Sequence, residues 1–160
     1  KEADEVRIGL ISDTHGKLRP EVVTHFEGVD RILHAGDVGR ADLLVEREAV
    51  APVTAVWGNV DDAEVRARVP ERAELELEGH TILVIHGHQL GSPWPEALRR
   101  AYPGPGIIVF GHTHLPVVDE VGGRLVVNPG GAGPARFYIR PSIGILTLQP
   151  GSRSVQLIEL

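Results

Sequence analysis

The chain has 160 residues, a formal net charge of -6 and no cysteine. That length fits one domain over 1–160, able to bury roughly two-thirds of the surface its unfolded form exposes. Without cysteine there can be no disulfide, zinc–thiolate site or cysteine nucleophile, and an acidic balance with no basic run argues against a reader of duplex nucleic acid.

Small phosphate esters remain open as ligands, because bound divalent ions can make an acidic protein locally positive. No apolar run approaches the roughly 20 residues a membrane span needs, and Lys1–Glu5 lacks the charge and apolar core of a signal peptide. A cytoplasmic protein is therefore expected; its oligomeric state is left open.

The first half alternates strand and helix signals, which argues for βαβ units and a parallel sheet. Val6–Ser12 reads as a nearly continuous apolar strand, Pro20–Phe26 as a helix, and Arg31–Ala35 as a strand. Ala41–Ala49 has a helical pattern and precedes the strand Val53–Trp57, with a short helix near Ala63–Arg68. After Pro70 come short strands joined by Gly-rich turns: Ala73–Leu77, Thr81–Ile85, Ile107–Phe110, Leu115–Val121, Arg124–Asn128, Phe137–Ile139, Ile143–Gln149 and Val155–Leu160. Pro95–Tyr102 is the one clear helix among them. Two facing mixed sheets with helices outside are the economical packing.

Five of these strands are followed at once by a short polar cluster. In order they are Asp13-Thr14-His15, Gly36-Asp37, Gly58-Asn59, His86-Gly87-His88 and Gly111-His112-Thr113-His114. Strand ends are where open α/β sheets collect ligand-binding side chains. Asp13 and His15 are two apart, so on an extended strand end both project to one side and can grip one ion; His112 and His114 repeat the spacing. A second ion needs a shared ligand, and a carboxylate offers two oxygens; Asp37 is the natural candidate. Carboxylate, amide and imidazole donors without thiolate suit Mn²⁺, Fe²⁺ or Zn²⁺ better than Ca²⁺; two divalent ions are expected, Mn²⁺ first, with Fe²⁺, Ni²⁺ or Zn²⁺ as alternatives. Two such ions about 3.5–4 Å apart clamp a phosphate and activate a bridging water for in-line attack.

The ordered set resembles the calcineurin-like metallophosphoesterase superfamily, and Asn128-Pro129-Gly130 resembles its compact bacterial and archaeal phosphodiesterase branch. The resemblance runs from about Ile8 to Arg136. It implies a four-layer α/β/β/α sandwich, with Asp13, His15 and His114 on one metal ion, Asn59, His86 and His112 on a second, and Asp37 between them. It also implies hydrolysis of small phosphodiesters by a metal-bridging hydroxide, with Asp37, His86, His88 and His112 closest to the chemistry. Some members of the superfamily, such as the retromer subunit, use the fold as a non-catalytic protein-binding scaffold, which is the alternative reading.

Many relatives carry Gly-Asn-His-Asp or Gly-Asn-His-Glu, whose His protonates the leaving group. Here the segment is Gly58-Asn59-Val60-Asp61, and Val60 has no proton to give. His88, Asp61 or a water would have to supply it. Each candidate also has a structural reading. Asp13, Asp37 and Asn59 could cap the helices that follow them, His34 could pack at a strand end, and His25 and His80 read as surface residues. Trp94 is expected to anchor its loop on the core, with a pocket wall as the alternative.

Overall fold

The computed structural model describes residues 5–17, 19–135 and 138–160. Strands β1 (Val6–Ile11), β2 (Arg31–His34) and β3 (Val53–Ala55) alternate with helices α1 (Pro20–His25) and α2 (Ala41–Glu48), and α3 (Ala63–Arg68) follows β3. Next come β4 (Arg72–Leu77), β5 (His80–Ile85), a 3₁₀ turn (His88–Leu90) and α4 (Pro95–Ala101). The chain finishes with β6 (Ile107–Val109), β7 (Val117–Val121), β8 (Arg124–Asn128), β9 (Ser142–Gln149) and β10 (Ser152–Glu159). Among the described residues no helix is long and apolar enough to cross a membrane.

Two five-stranded sheets result, in the orders β10-β9-β1-β2-β3 and β4-β5-β6-β8-β7. Each is mixed. β1, β2 and β3 run parallel, as do β5, β6 and β8, while β9, β10, β4 and β7 pair antiparallel. Two of the antiparallel pairs, β4–β5 and β7–β8, are joined by tight turns. Glu78-Gly79 and Gly122-Gly123 both have two consecutive positive φ angles, the geometry that joins twisted antiparallel strands with only two residues.

Alternation along each strand assigns the layers. Ile8 and Leu10 of β1, Leu33 of β2, Ile82 and Val84 of β5, Ile107 and Val109 of β6, and Leu125 and Val127 of β8 pack together between the sheets. Their neighbours face outward. Ile11 and Ile32 meet Val22 and Phe26 of the α1 segment, while Leu83, Ile85, Ile108 and Val126 meet Leu98 of α4. The parallel strands are therefore buried on both faces, which is why they read as unbroken apolar runs. The architecture is the expected four-layer α/β/β/α sandwich.

Three expectations differ from the observed elements. β7 begins at Val117, because Pro116 has no N–H to donate to a ladder. Trp57 lies beyond β3, its N–H bound to Pro70 O at 3.0 Å. The strand expected at Phe137–Ile139 does not form among the described residues: Tyr138 is in a turn, Ile139 makes an isolated bridge, and Phe137 lies outside them. Pro134 and Pro141 flank that stretch and leave little room for pairing.

Gly9, in the middle of β1, looks like a weak strand residue but has a packing reason. A Cβ built there meets three atoms of the Phe26 ring at 2.9 Å. Overpacking of this kind typically costs about 1–3 kcal/mol. Gly9→Ala is expected to lose that much stability in urea melts of the chelated protein, and Phe26→Leu in the same chain to recover part of it. A Gly9→Ala protein as stable as the original contradicts this packing.

Candidate metal centre

The carboxyl ends of the parallel strands of both sheets lie at one edge, and the loops leaving them are laced together. Beyond the last β1–β2 ladder pair, Asp13 N–H donates to Gly36 O, His15 N–H to Asp37 O and Gly16 N–H to Val38 O, at 2.8–2.9 Å. Gly111 N–H reaches His86 O at 3.0 Å, joining the β5 and β6 ends. Ala132 and Gly133 N–H groups donate to Ser12 O and Asp13 O at 2.9 and 3.1 Å, tying the segment after β8 to the β1 end. Five loops converge on one place.

That lacing fixes an unusual backbone. Asp13, His15, Asp37, His112 and His114 all have left-handed φ, between 47° and 70°. Glu78, in its hairpin turn, is the other non-glycine with positive φ among the described residues. A non-glycine residue held there costs of order 1–3 kcal/mol, and such strain gathers at functional sites. Two residues apart on a left-handed turn, Asp13 and His15 still reach the same space, although not by the extended-strand geometry the spacing suggests.

Ligand-type atoms form two groups, each within 4.8 Å: Asp13 with His15 and His114, and Asp13 with Asp37 and His86. Asp13 Oδ1 lies 3.4 Å from His114 Nε2, 3.9 Å from His15 Nε2 and 3.8 Å from His86 Nε2. Asp37 Oδ2 lies 3.2 Å from His86 Nε2 and 3.8 Å from His15 Nε2. Asp13 is thus common to both groups, while Asp37 also stands between His15 and His86. The chain makes room for them: a Cβ at Gly111 would overlap Ser12 Oγ, one at Gly58 would overlap Asp37 Oδ1, and one at Gly131 would sit 2.8 Å from His114 Nδ1.

Burial and charge act against each other here. Burial would lower the His86 pKa, but the Asp37 and Asp13 carboxylates outweigh it and hold the imidazole above its ordinary value. Burial likewise pushes the Asp37 carboxyl up, yet His86, the Val60 N–H and His15 leave it at about 2. His88 and His112 are lowered, first by burial and then by His86.

Of the other expected residues, His112 donates its peptide N–H to Asp13 Oδ2 at 3.1 Å and its ring lies edge-on, 5.2 Å from that of His86. It falls outside both groups of close ligand atoms. His88 sits between His86 and Trp57, with ring centroids 5.4 and 5.7 Å away. Asn59 is exposed, on a loop whose Val60 N–H donates to Asp37 Oδ1 at 3.1 Å. None of Asp13, Asp37 and Asn59 caps a helix: the N-caps of α1, α2 and α3 are Arg19, Arg40 and Asp62. Both Asp61 oxygens accept backbone N–H groups, so its carboxylate is engaged in holding the loops. Trp94 is 63 % exposed instead of anchored; buried Pro93, which a Cβ at Gly87 would touch at 3.1 Å, takes the inward position. His80 is half-buried, its Nε2 2.8 Å from Gln149 O.

Several residues outside the expected ligand set hold the site. Ser12 Oγ–H donates to Asp13 Oδ2 at 2.7 Å. Asn128 donates to Gly111 O and Thr113 Oγ1 and accepts from Gly130 N–H, pinning the His112–His114 loop. Burial holds the His34 pKa at about 3, so its ring is neutral. Nδ1 accepts from Gly36 N–H, which leaves Nε2–H to donate to Thr14 Oγ1, whose own proton goes to Val38 O. The sequence hinted at Asn128, through its Asn-Pro-Gly turn, and at His34, as a strand-end packing residue.

These residues fit divalent cations. Asp13 Oδ1 and His86 Nε2 are buried and lack hydrogen-bond partners; the 3.2 Å approach of His86 Nε2 to Asp37 Oδ2 does not have hydrogen-bond geometry. Leaving such atoms unpaired costs roughly 1–3 kcal/mol each. Oxygen and imidazole donors together are the set that binds Mn²⁺, Fe²⁺, Ni²⁺ or Zn²⁺.

The profile of the calcineurin-like phosphoesterase superfamily domain matches residues 6–151. A probable metallophosphoesterase of Methanothermobacter thermautotrophicus is 32% identical over 95% of this chain and 91% of its own length. Among solved structures, an archaeal phosphodiesterase superposes with TM-score 0.79 at 26% identity, over 97% of this chain and all of that one. Vacuolar protein sorting 29 from Cryptosporidium parvum has TM-score 0.80 at 24% identity, covering 98% of each chain, and shares the fold.

The left-handed backbone gives a test independent of any ligand. His112→Ala and His112→Gly both delete the imidazole, but glycine accepts a φ of 70° without the Cβ clash. In the chelated protein His112→Gly is expected to be more stable than His112→Ala by about 1 kcal/mol, the reverse of their usual order. Denaturant melts showing the alanine variant as the more stable one contradict the strained conformation.

Proposed function

The chain belongs to the calcineurin-like phosphoesterase superfamily, and on that premise we propose that it is a phosphodiesterase working with two divalent cations. The observation that carries the reading is the pair of ligand groups that share Asp13. Asp13, His15 and His114 would hold one cation, and Asn59, His86 and His112 the other, with Asp37 between them. When bound, the cations would supply Lewis acidity toward the phosphoryl group and toward water, at neutral pH.

The side chains have separable tasks. Asp13 and Asp37 put two carboxylates, nearly inaccessible to water, against the imidazoles of His15, His86 and His114. Their charge makes the pocket hostile to a bare phosphate and favourable to one screened by cations. The rings of His88 and His112 flank that of His86, with centroids 5.4 and 5.2 Å away; His88 would hydrogen-bond phosphoryl oxygens, and His112 would share in charge stabilisation as a metal ligand. Position 60 contributes its N–H to Asp37 and exposes an apolar side chain, so it provides no leaving-group proton. A small phosphodiester is the substrate class that the archaeal phosphodiesterase likeness supports, and Mn²⁺ the leading metal on donor chemistry.

The test is reconstitution. Chelated protein is reloaded in turn with Mn²⁺, Ni²⁺, Zn²⁺ or Mg²⁺, and metal content is measured beside hydrolysis of bis(4-nitrophenyl) phosphate and 4-nitrophenyl phosphate. Two ions per chain and faster hydrolysis of the diester are expected, with Asp37→Ala losing both ions and at least 10²-fold in rate. A reloaded protein that takes up no metal and hydrolyses neither ester contradicts the proposal and favours a protein-binding scaffold.

A further inference from the structure

Asp61 has no place in the ligand set, yet it is 5 % exposed and fully committed. Its Oδ2 accepts the N–H groups of Val38 and Gly58 at 3.1 and 2.9 Å, and its Oδ1 accepts that of Gly39 at 2.9 Å. Those three amides belong to two different loops. Val38 and Gly39 follow Asp37 after β2, whereas Gly58 precedes Asn59 after β3. The Asp61 carboxylate therefore sits behind both loops and fixes their separation.

The clearance between those loops is small. Gly58 packs so closely on Asp37 that a side chain there would overlap its carboxylate, and Val60 N–H donates to Asp37 Oδ1. Asp61 N–H closes a turn onto Gly58 O at 3.1 Å, and its own carbonyl accepts Arg66 Nε–H at 3.0 Å. Arg66 also reaches Asn59 O at 3.4 Å and stacks on Trp57 at 4.2 Å. Residues 58–61 thus form a small rigid unit. The carboxylate of Asp61 is what seats that unit on the Asp37 loop.

We propose that Asp61 is a positioning residue that sets the distance between Asn59 and Asp37, and so acts on the second metal position more than on the Asp13–His15–His114 position. This rests on the two-cation reading given above. None of the three amides it binds lies on the loops that carry Asp13, His15 or His114, which Asp61 reaches only indirectly, through the hydrogen bonds of His15 and Gly16 N–H to Asp37 O and Val38 O. An isosteric amide cannot replace it: the Asn nitrogen would face a backbone N–H donor to donor, pushing one loop away. Groups that orient metal ligands in this way typically contribute 10–100-fold to affinity.

Mn²⁺ binding followed by titration calorimetry, with electron paramagnetic resonance of the bound ions, separates the two positions. The wild-type chain is expected to bind two Mn²⁺ and give a spin-coupled signal. Asp61→Asn should bind one Mn²⁺ 10–100-fold more weakly and the other with a clearly smaller loss, losing that signal at equal loading. Asp62→Ala is the control. It removes the α3 cap one residue away, where Asp62 accepts from Val65 N–H at 3.0 Å, and should keep both ions.

If Asp61→Asn does not fold, Asp61→Ser takes its place, since its hydroxyl can accept one amide. Normal binding of both ions by a folded Asp61 variant overturns the inference, as does equal weakening in Asp62→Ala. So does failure of both Asp61 variants to fold, which makes Asp61 a folding residue. A wild-type chain that binds no Mn²⁺ overturns the two-cation reading itself, a result visible before any variant is made.

Discussion

The site depends on hydrogen bonds that continue β-type pairing past the ends of the strands. Once Asp13 N–H is tied to Gly36 O and His15 N–H to Asp37 O, the chain must turn within one or two residues, and it does so through left-handed conformations. Left to local preference these residues would not adopt such angles. The pairing of β1 with β2, and of β6 with β5 and β8, holds them there. The apolar layers between and outside the sheets therefore do more than stabilise the fold, because they hold the strand ends in register.

A consequence is that the polar atoms facing inward cannot easily escape one another. Asp13 and Asp37 sit at the closed end of the site with less than 4 % exposure, surrounded by imidazole nitrogens. In a flexible loop such groups would turn toward water. Here Ser12 and the His112 N–H hold Asp13 Oδ2 and aim Oδ1 at the histidines. The Val60 N–H holds Asp37 Oδ1 and leaves Oδ2 toward His86 and His15. Each carboxylate thus has one oxygen held by hydrogen bonds and one turned toward the imidazoles, which is preorganisation at the level of atoms.

The parallel strands were legible because burial on both faces leaves an unbroken apolar run, and the polar clusters stood out against those runs. Asp13, His15, Asp37, His86 and His114 could be found that way, since each directly follows such a run. The partners of the supporting residues could not, although His34 was legible as a strand-end packing residue and Asn128 as part of its turn. His34, Asp61 and Asn128 are buried polar groups with partners up to 23 residues away in sequence, and no period or spacing reports a partner of that kind; Ser12 bonds its neighbour Asp13, a contact that follows from the turn and not from the spacing. Trp94 was misread for a related reason. Composition says an aromatic in a Pro-rich turn should anchor it, but packing chose the smaller Pro93.

On the reading proposed above, these loops build one pocket for two cations. Anomalous diffraction from crystals equilibrated with Mn²⁺, collected at the manganese edge, tests it directly. Two peaks are predicted, one enclosed by Asp13, His15 and His114 and the other beside Asp37 and His86, separated by about 3.5–4 Å as paired catalytic ions are. A single peak, or peaks only at exposed carboxylates such as those of Glu74 and Glu76, would contradict it.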